Sequence, residues 1–70
     1  MEVFQIMEDQ EFIELHDLLK VMGICSTGGA AKKAITEGRV KVDGTVEMRK
    51  RSKVRTGQIV EYNGRKIKVS

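Results

Sequence analysis

Gly38-Arg39-Val40-Lys41-Val42-Asp43-Gly44-Thr45-Val46 decides the fold, because the apolar spacing changes there from helical to alternating. Upstream, Ala30, Ala31, Ala34 and Ile35 recur three and four residues apart; downstream, Val40, Val42, Val46 and Met48 alternate with polar residues. Asp43-Gly44 between the alternating runs signals a hairpin turn. A strict two-residue loop would set Val40 opposite Glu47 and mix core and solvent faces. We therefore expect an odd loop, with Gly44 in a left-handed bulge position and Val40 opposite Val46.

Working toward the C-terminus, Thr56-Gly57 leads into a second hairpin closed by Asn63-Gly64. Here a two-residue register places Val60 opposite Ile67, beside Tyr62 and Val69, and Glu61 opposite Lys66 on the other face. Working toward the N-terminus, Ala30, Ala31, Ala34 and Ile35 form the buried side of a helix that Ser26 can cap and Gly38 ends. Its small residues allow close packing on a preceding helix. That first helix is expected over about residues 10–22, from Phe12, Leu15, Leu18, Leu19 and Met22. Asp9 serves as its N-cap, Glu11 and Glu14 lie near its start, Lys20 in its last turn and Gly23 as its stop, and Gly23-Ile24-Cys25 joins the helices. Val3 to Ile6 is β-prone. The order is β-αα-ββββ, an α+β domain with two helices packed on a small, mainly antiparallel sheet.

The chain has 70 residues, 40% apolar and 33% charged, with no Pro or Trp and only Phe4, Phe12 and Tyr62 as aromatics. That composition is globular and the length suits one domain, residues 1–70. A core of this size rarely supplies more than about 3 to 5 kcal/mol of net stability and leaves no room for a large catalytic cleft. The single cysteine, Cys25, cannot form an internal disulfide, so a reducing cytoplasm is the expected compartment. An acidic start and the lack of a long apolar run speak against export or a membrane span.

The net charge of +3 conceals a division. Residues 1–19 carry Glu2, Glu8, Asp9, Glu11, Glu14 and Asp17 and no Lys or Arg, whereas residues 32–55 hold nine basic residues against three acids. Such polarity favours a polyanionic partner for one side.

Enzymatic motifs are missing. Gly23 and Gly28 have the glycine spacing of a phosphate-binding loop, but Gly29-Ala30 stand where Lys-Ser/Thr belongs and a helix precedes in place of a strand. No G-x-G-x-x-G occurs. His16 has no companion at metal-ligand spacing and reads as a helix-surface residue. Cys25, before a helix, could have a lowered thiol pKa, but without a nearby His it reads as a small packed side chain. Neither a catalytic residue nor a metal or cofactor site is expected.

Ser26-Thr27-Gly28-Gly29-Ala30-Ala31-Lys32-Lys33 is more informative. Hydroxyls, the free N–H groups of a helix first turn and two glycines that cost helix propensity suit an anionic oxygen. The competing reading is a plain cap, with both glycines fitted against the first helix. Lys32, Lys33, Arg39 and Lys41 could converge on one exposed surface, and Arg49, Lys50, Arg51 and Lys53 add a dense basic run.

From Phe12 to Tyr62 this order resembles the RNA-binding domain first defined in small-subunit ribosomal protein S-four, the alpha-L motif, with a core at about residues 12–62. The resemblance is carried by Leu15-x-x-Leu18-Leu19-Lys20, Gly23-Ile24, Ser26, Ala31-Lys32 with Ile35, Gly38-x-Val40-x-Val42, Asp43-Gly44 and Gly57-Gln58-x-Val60. Thr27 and Asp43 stand where the family usually has Arg and Asn. Thr27-Gly28-Gly29 and the basic run look instead like the free-standing bacterial YbcJ-like branch, in which the domain is the whole polypeptide. The resemblance implies RNA binding without attached catalysis, by contact with the backbone of structured ribosomal or transfer RNA, with the ribosome or RNA-processing proteins as further expected partners; a monomer is expected. By position, Lys32, Lys33, Arg39 and Lys41 would meet phosphates, Ser26, Thr27 and Gly28 would add close contacts, and Arg49, Lys50, Arg51 and Lys53 would extend the track. Two other functions fit the residues less fully. One is a helix-turn-helix DNA-binding protein, though Thr27-Gly28-Gly29-Ala30 offers few groups to base edges. The other is a protein-interaction adaptor using the acidic first-helix side or a sheet edge.

Overall fold

A computed structural model describes residues 1–70. The alternating runs form the expected strands. β1 (Glu2–Phe4), β3 (Val40–Val42), β4 (Thr45–Val46), β6 (Ile59–Tyr62) and β7 (Arg65–Val69) make a five-stranded sheet in the order β1-β7-β6-β3-β4. Only β1 runs parallel to its neighbour, β7, so the sheet is mainly antiparallel. The pairing at β1 continues beyond the strand, since Ile6 N–H donates to the Ser70 carbonyl at 2.9 Å. Two further short strands, β2 (Ile13–Glu14) and β5 (Lys53–Val54), pair antiparallel apart from the main sheet.

One face of the sheet carries Val40, Val60, Ile67 and Val69, all fully buried. Against it lie α1 (Leu15–Val21), which buries Leu15, Leu18 and Leu19, and α2 (Gly28–Thr36), which buries Ala31, Ala34 and Ile35. Val54 and Cys25 complete the core. The helices end as their glycines foretold. Gly23 N–H donates to the Lys20 carbonyl and Ile24 N–H to that of Leu19, while Gly38 and Arg39 do the same to Ile35 and Ala34. Both ends are Schellman motifs, with glycine at positive φ, 71° and 75°.

The start of α1 differs from the expectation. The helix begins at Leu15, not near residue 10, and Asp9 does not cap it. Ile13 and Glu14 are held extended because they pair with Val54 and Lys53. The first helical donors then find carbonyls on the preceding basic stretch: Leu15 N–H donates to Ser52 at 2.9 Å and His16 N–H to Lys50 at 3.1 Å. Phe12 therefore lies outside the helix, its ring 5.0 Å from Lys53 Nζ and 5.7 Å from the Arg55 guanidinium carbon. The acid in the first turn is Asp17, not Glu11 or Glu14.

Four local details also change. Thr27, not Ser26, caps α2, its hydroxyl oxygen accepting from Ala30 N–H at 3.0 Å, and Ala30 is exposed instead of buried. The linker between the helices is residues 22–27, longer than the 3–4-residue turn of a helix-turn-helix. The first hairpin adopts the strict two-residue loop, with Lys41 opposite Val46 and Val42 opposite Thr45. Val40 faces Glu47, whose N–H donates to the Val40 carbonyl at 3.0 Å. Mixing faces costs little there because both residues of β4 are exposed, so the turn sets the register. The second hairpin has the expected pairs Val60–Ile67 and Glu61–Lys66.

Candidate nucleic-acid interface

Arg49-Lys50-Arg51-Ser52-Lys53 connects β4 to β5 and would be a mobile cationic loop if nothing held it. Its backbone is instead fixed against the start of α1 by the carbonyls of Lys50 and Ser52, and internally by Ser52 N–H donating to the Arg49 carbonyl at 3.0 Å. Its side chains are also steered. Arg49 Nε donates to Glu47 Oε1 at 2.8 Å, which holds the Glu47 carboxyl below its ordinary range and raises the Arg49 guanidinium further. Arg51 Nε stands 3.9 Å from Glu14. The result is an open concavity of about 390 Å³ lined only by Arg49, Arg51, Ser52 and Lys53. A water-exposed hollow walled by cations and a hydroxyl suits phosphate oxygens, with arginine able to grip two at once. Lys50 is exposed beside it.

A second hollow lies at the C-terminal end of α2, where Ala30, Lys33, Ala34, Glu37, Arg39 and Tyr62 enclose about 200 Å³. Arg39 Nε is 3.3 Å from Glu37 Oε1, which orients the guanidinium without burying it. This hollow shares no residue with the first. Lys32, on the same helix, is half-buried.

At the opposite end of α2 the two glycines meet open space: a Cβ at Gly28 would touch nothing within 4 Å, and one at Gly29 only the Thr27 hydroxyl at 3.9 Å. Close packing on α1 therefore does not explain them. Neither Gly28 nor Gly29 N–H has a protein acceptor, and Ser26 is exposed. Thr27 spends its hydroxyl on the helix cap.

The structure separates Lys41 from the other predicted cations. Strand alternation with buried Val40 directs Lys41 to the sheet face away from the helices, in one row with Glu61 and Lys66. Lys68 shares that face, and neither Lys66 nor Lys68 stood among the predicted site residues. The alternation Arg65-Lys66-Ile67-Lys68-Val69 is the signal that could have found them. No lysine of the chain has an acid within ion-pair distance, whereas Arg39, Arg49, Arg51 and Arg65 each do.

Other polar clusters are accounted for by packing. His16 Nε2 meets Glu14 Oε1 at 2.9 Å and His16 Nδ1 meets Asp17 Oδ1 at 3.4 Å. His16 therefore has acidic companions after all: Glu14, His16 and Asp17 each bring one ligand atom to within 4.8 Å of the others at the partly exposed start of α1. Cys25 is buried, and burial pushes its thiol pKa up, away from nucleophilic reactivity. No helix is long and apolar enough to cross a membrane.

Similarity to known proteins agrees with this architecture. The YbcJ proteins of Escherichia coli (strain K12) and Shigella flexneri are each 53% identical over 57 residues, which is 81% of this chain and 81% of theirs. The solution structure of YbcJ from E. coli superposes with a TM-score of 0.75 at 46% identity, covering 99% of this chain and 86% of that one. That structure is described as an αL motif involved in RNA binding. The sequence model of the S4 domain matches residues 4–70. With the helices, sheet and glycine-ended turns in place along the same stretch, the chain belongs to the S4 domain family.

Proposed function

We propose that this protein is a non-enzymatic, cytoplasmic RNA-binding protein that grips the backbone of structured RNA, ribosomal or transfer RNA, through its fixed basic loop. The observation that carries this reading is the concavity lined only by Arg49, Arg51, Ser52 and Lys53, whose backbone is fastened to α1. Lys33 and Arg39 at the end of α2, with half-buried Lys32 beside them, extend the contact. Gly28 and Gly29, with open space above them and unpaired N–H groups, let a phosphate approach next to Ser26 and Thr27. All three aromatic residues are half-buried, which removes a stacking platform and favours RNA read by shape and backbone. The relationship to YbcJ, whose solved structure is described as RNA-binding, supports the same reading.

The test is equilibrium binding of a fluorescein-labelled RNA hairpin across a salt series. If about five phosphates are neutralised, log K falls against log salt with a slope of roughly −3.5 to −4.5. Lys50→Ala/Arg51→Ala protein should bind more weakly with a shallower slope. Binding indifferent to salt, or equal in wild type and the double variant, overturns the proposal.

A further inference from the structure

We propose that the outer face of the sheet is a second backbone-binding surface, so that one domain bridges two segments of RNA. The inference rests on the RNA-binding reading above but uses different residues. Cross-strand pairing fixes the layout: Val46, Lys41, Glu61 and Lys66 form one row, and Ile59, Lys68 and Val3 form the next. All seven project from the side opposite buried Val40, Val60 and Ile67, so the helices cover none of them. Three lysines stand against one acid. Glu61 lies directly between Lys41 and Lys66, yet neither is within ion-pair distance of it, so all three ammonium groups remain free for a ligand.

The chemistry of the face specifies its occupant. It is flat, since no concavity includes Lys41, Lys66 or Lys68. Lys66 and Lys68 lie two residues apart on one strand, roughly 7 Å, and Lys41 and Lys66 two strands apart, roughly 10 Å. Flexible ammonium point charges at such intervals can follow successive phosphates of one strand without reading bases. Val3 and Val46, 60% and 45% exposed, supply apolar contact between them. Once the basic loop holds one RNA segment, a second segment of the same molecule reaches this face at high effective concentration, which compensates for a surface of only three cations.

The experiment joins a donor-labelled and an acceptor-labelled RNA duplex through a flexible single-stranded linker and reads energy transfer between the two arms on adding protein, beside binding of a lone duplex. Wild type should bring the duplexes together. Lys66→Gln/Lys68→Gln, which avoids setting a new acid opposite Glu61, should lose the transfer, bind a lone duplex with unchanged salt slope, and lower the salt slope of linked-duplex binding by about 2. Unchanged amide spectra elsewhere establish that this variant is folded. Transfer that persists in the variant, or wild type that binds a lone duplex yet gives no transfer between the linked arms, overturns the bridging proposal and leaves the basic loop's role intact. Wild type that binds no duplex overturns the RNA-binding reading and this inference together. If poly-glutamate but not RNA shifts the Lys66 and Lys68 resonances, the face is a protein-docking surface and the proposal fails.

Discussion

The two hairpins are closed by the same turn and are stabilised in different ways. Asp43-Gly44 has φ of 52° and 81°, and Asn63-Gly64 has φ of 52° and 81°. Both are two-residue loops with left-handed central residues, the geometry that matches strand twist. Beyond the turns the resemblance ends. The β6–β7 hairpin sets fully buried Val60 against fully buried Ile67, so its register is fixed by the core. The β3–β4 hairpin sets exposed Lys41 against exposed Val46, so its register is fixed by the turn alone. The side chain of Asp43 adds what packing does not: Oδ1 accepts from Ile59 N–H at 3.0 Å and Oδ2 from Gln58 Nε2 at 3.2 Å, tying the turn to β6. Asn63 makes no comparable bond.

The strongest test of this contrast is truncation of the paired residues. Ile67→Ala removes a side chain from the closed core and should cost about 3 kcal/mol, most of the stability of so small a domain. Val46→Ala, at an exposed edge, should stay within about 0.5 kcal/mol. Urea denaturation followed by circular dichroism separates the two, and a Val46→Ala loss near that of Ile67→Ala would mean that β4 is tied into the core. Next in size are the turn residues. Asp43→Ala places alanine in the left-handed region and breaks the bonds to Ile59 and Gln58, about 2 kcal/mol together. Asn63→Ala incurs only the backbone penalty, about 1 kcal/mol. Equal losses at the two turns would show that the Asp43 side chain contributes nothing beyond its φ.

The same contrast explains what the sequence could reveal. Where alternation coincides with burial, as in Val60, Ile67 and Val69, the register was readable, and the glycine stops at Gly23 and Gly38 were readable because Schellman endings favour that residue. The first hairpin departs from the expected register because β4 has no core face for a core-and-solvent rule to act on. The start of α1 departs from the expectation for a different reason: Phe12 and Leu15 keep helical spacing, but Ile13 and Glu14 answer to Val54 and Lys53, a partner that no local pattern displays. The charge of Arg49 to Lys53 was visible in the sequence. That its carbonyls cap α1, and so hold the loop still, depends on the same non-local pairing. The divergence of Lys41 from Lys32 and Lys33 follows from strand alternation, whereas Arg39, ahead of β3, stays beside α2 because its N–H closes the helix on Ala34, and counting charge along residues 32–55 hides both.

The smallest expected effect concerns the acid–arginine pair beside each hairpin. Arg65, at the second turn, donates from Nε to Glu2 Oε2 at 2.8 Å and from Nη2 to Oε1, joining β7 to β1. This hydrogen bonding holds the Glu2 carboxyl below its ordinary range, as Arg49 holds Glu47. A carboxylate whose pKa is lowered by folding stabilises the fold fully above its unfolded value, about 4.3, and that contribution is lost as pH falls through the lower folded value. The two pairs should not weigh equally. Glu47 and Arg49 are two residues apart and can still meet in the unfolded chain, which narrows the difference between states, whereas Glu2 and Arg65 meet only in the fold. Glu2→Gln should therefore flatten the acid limb of the urea midpoint against pH more than Glu47→Gln does. Because both pairs are exposed, added salt should shrink the difference. An acid limb that is the same in wild type and Glu2→Gln would mean that backbone pairing alone holds β1 against β7.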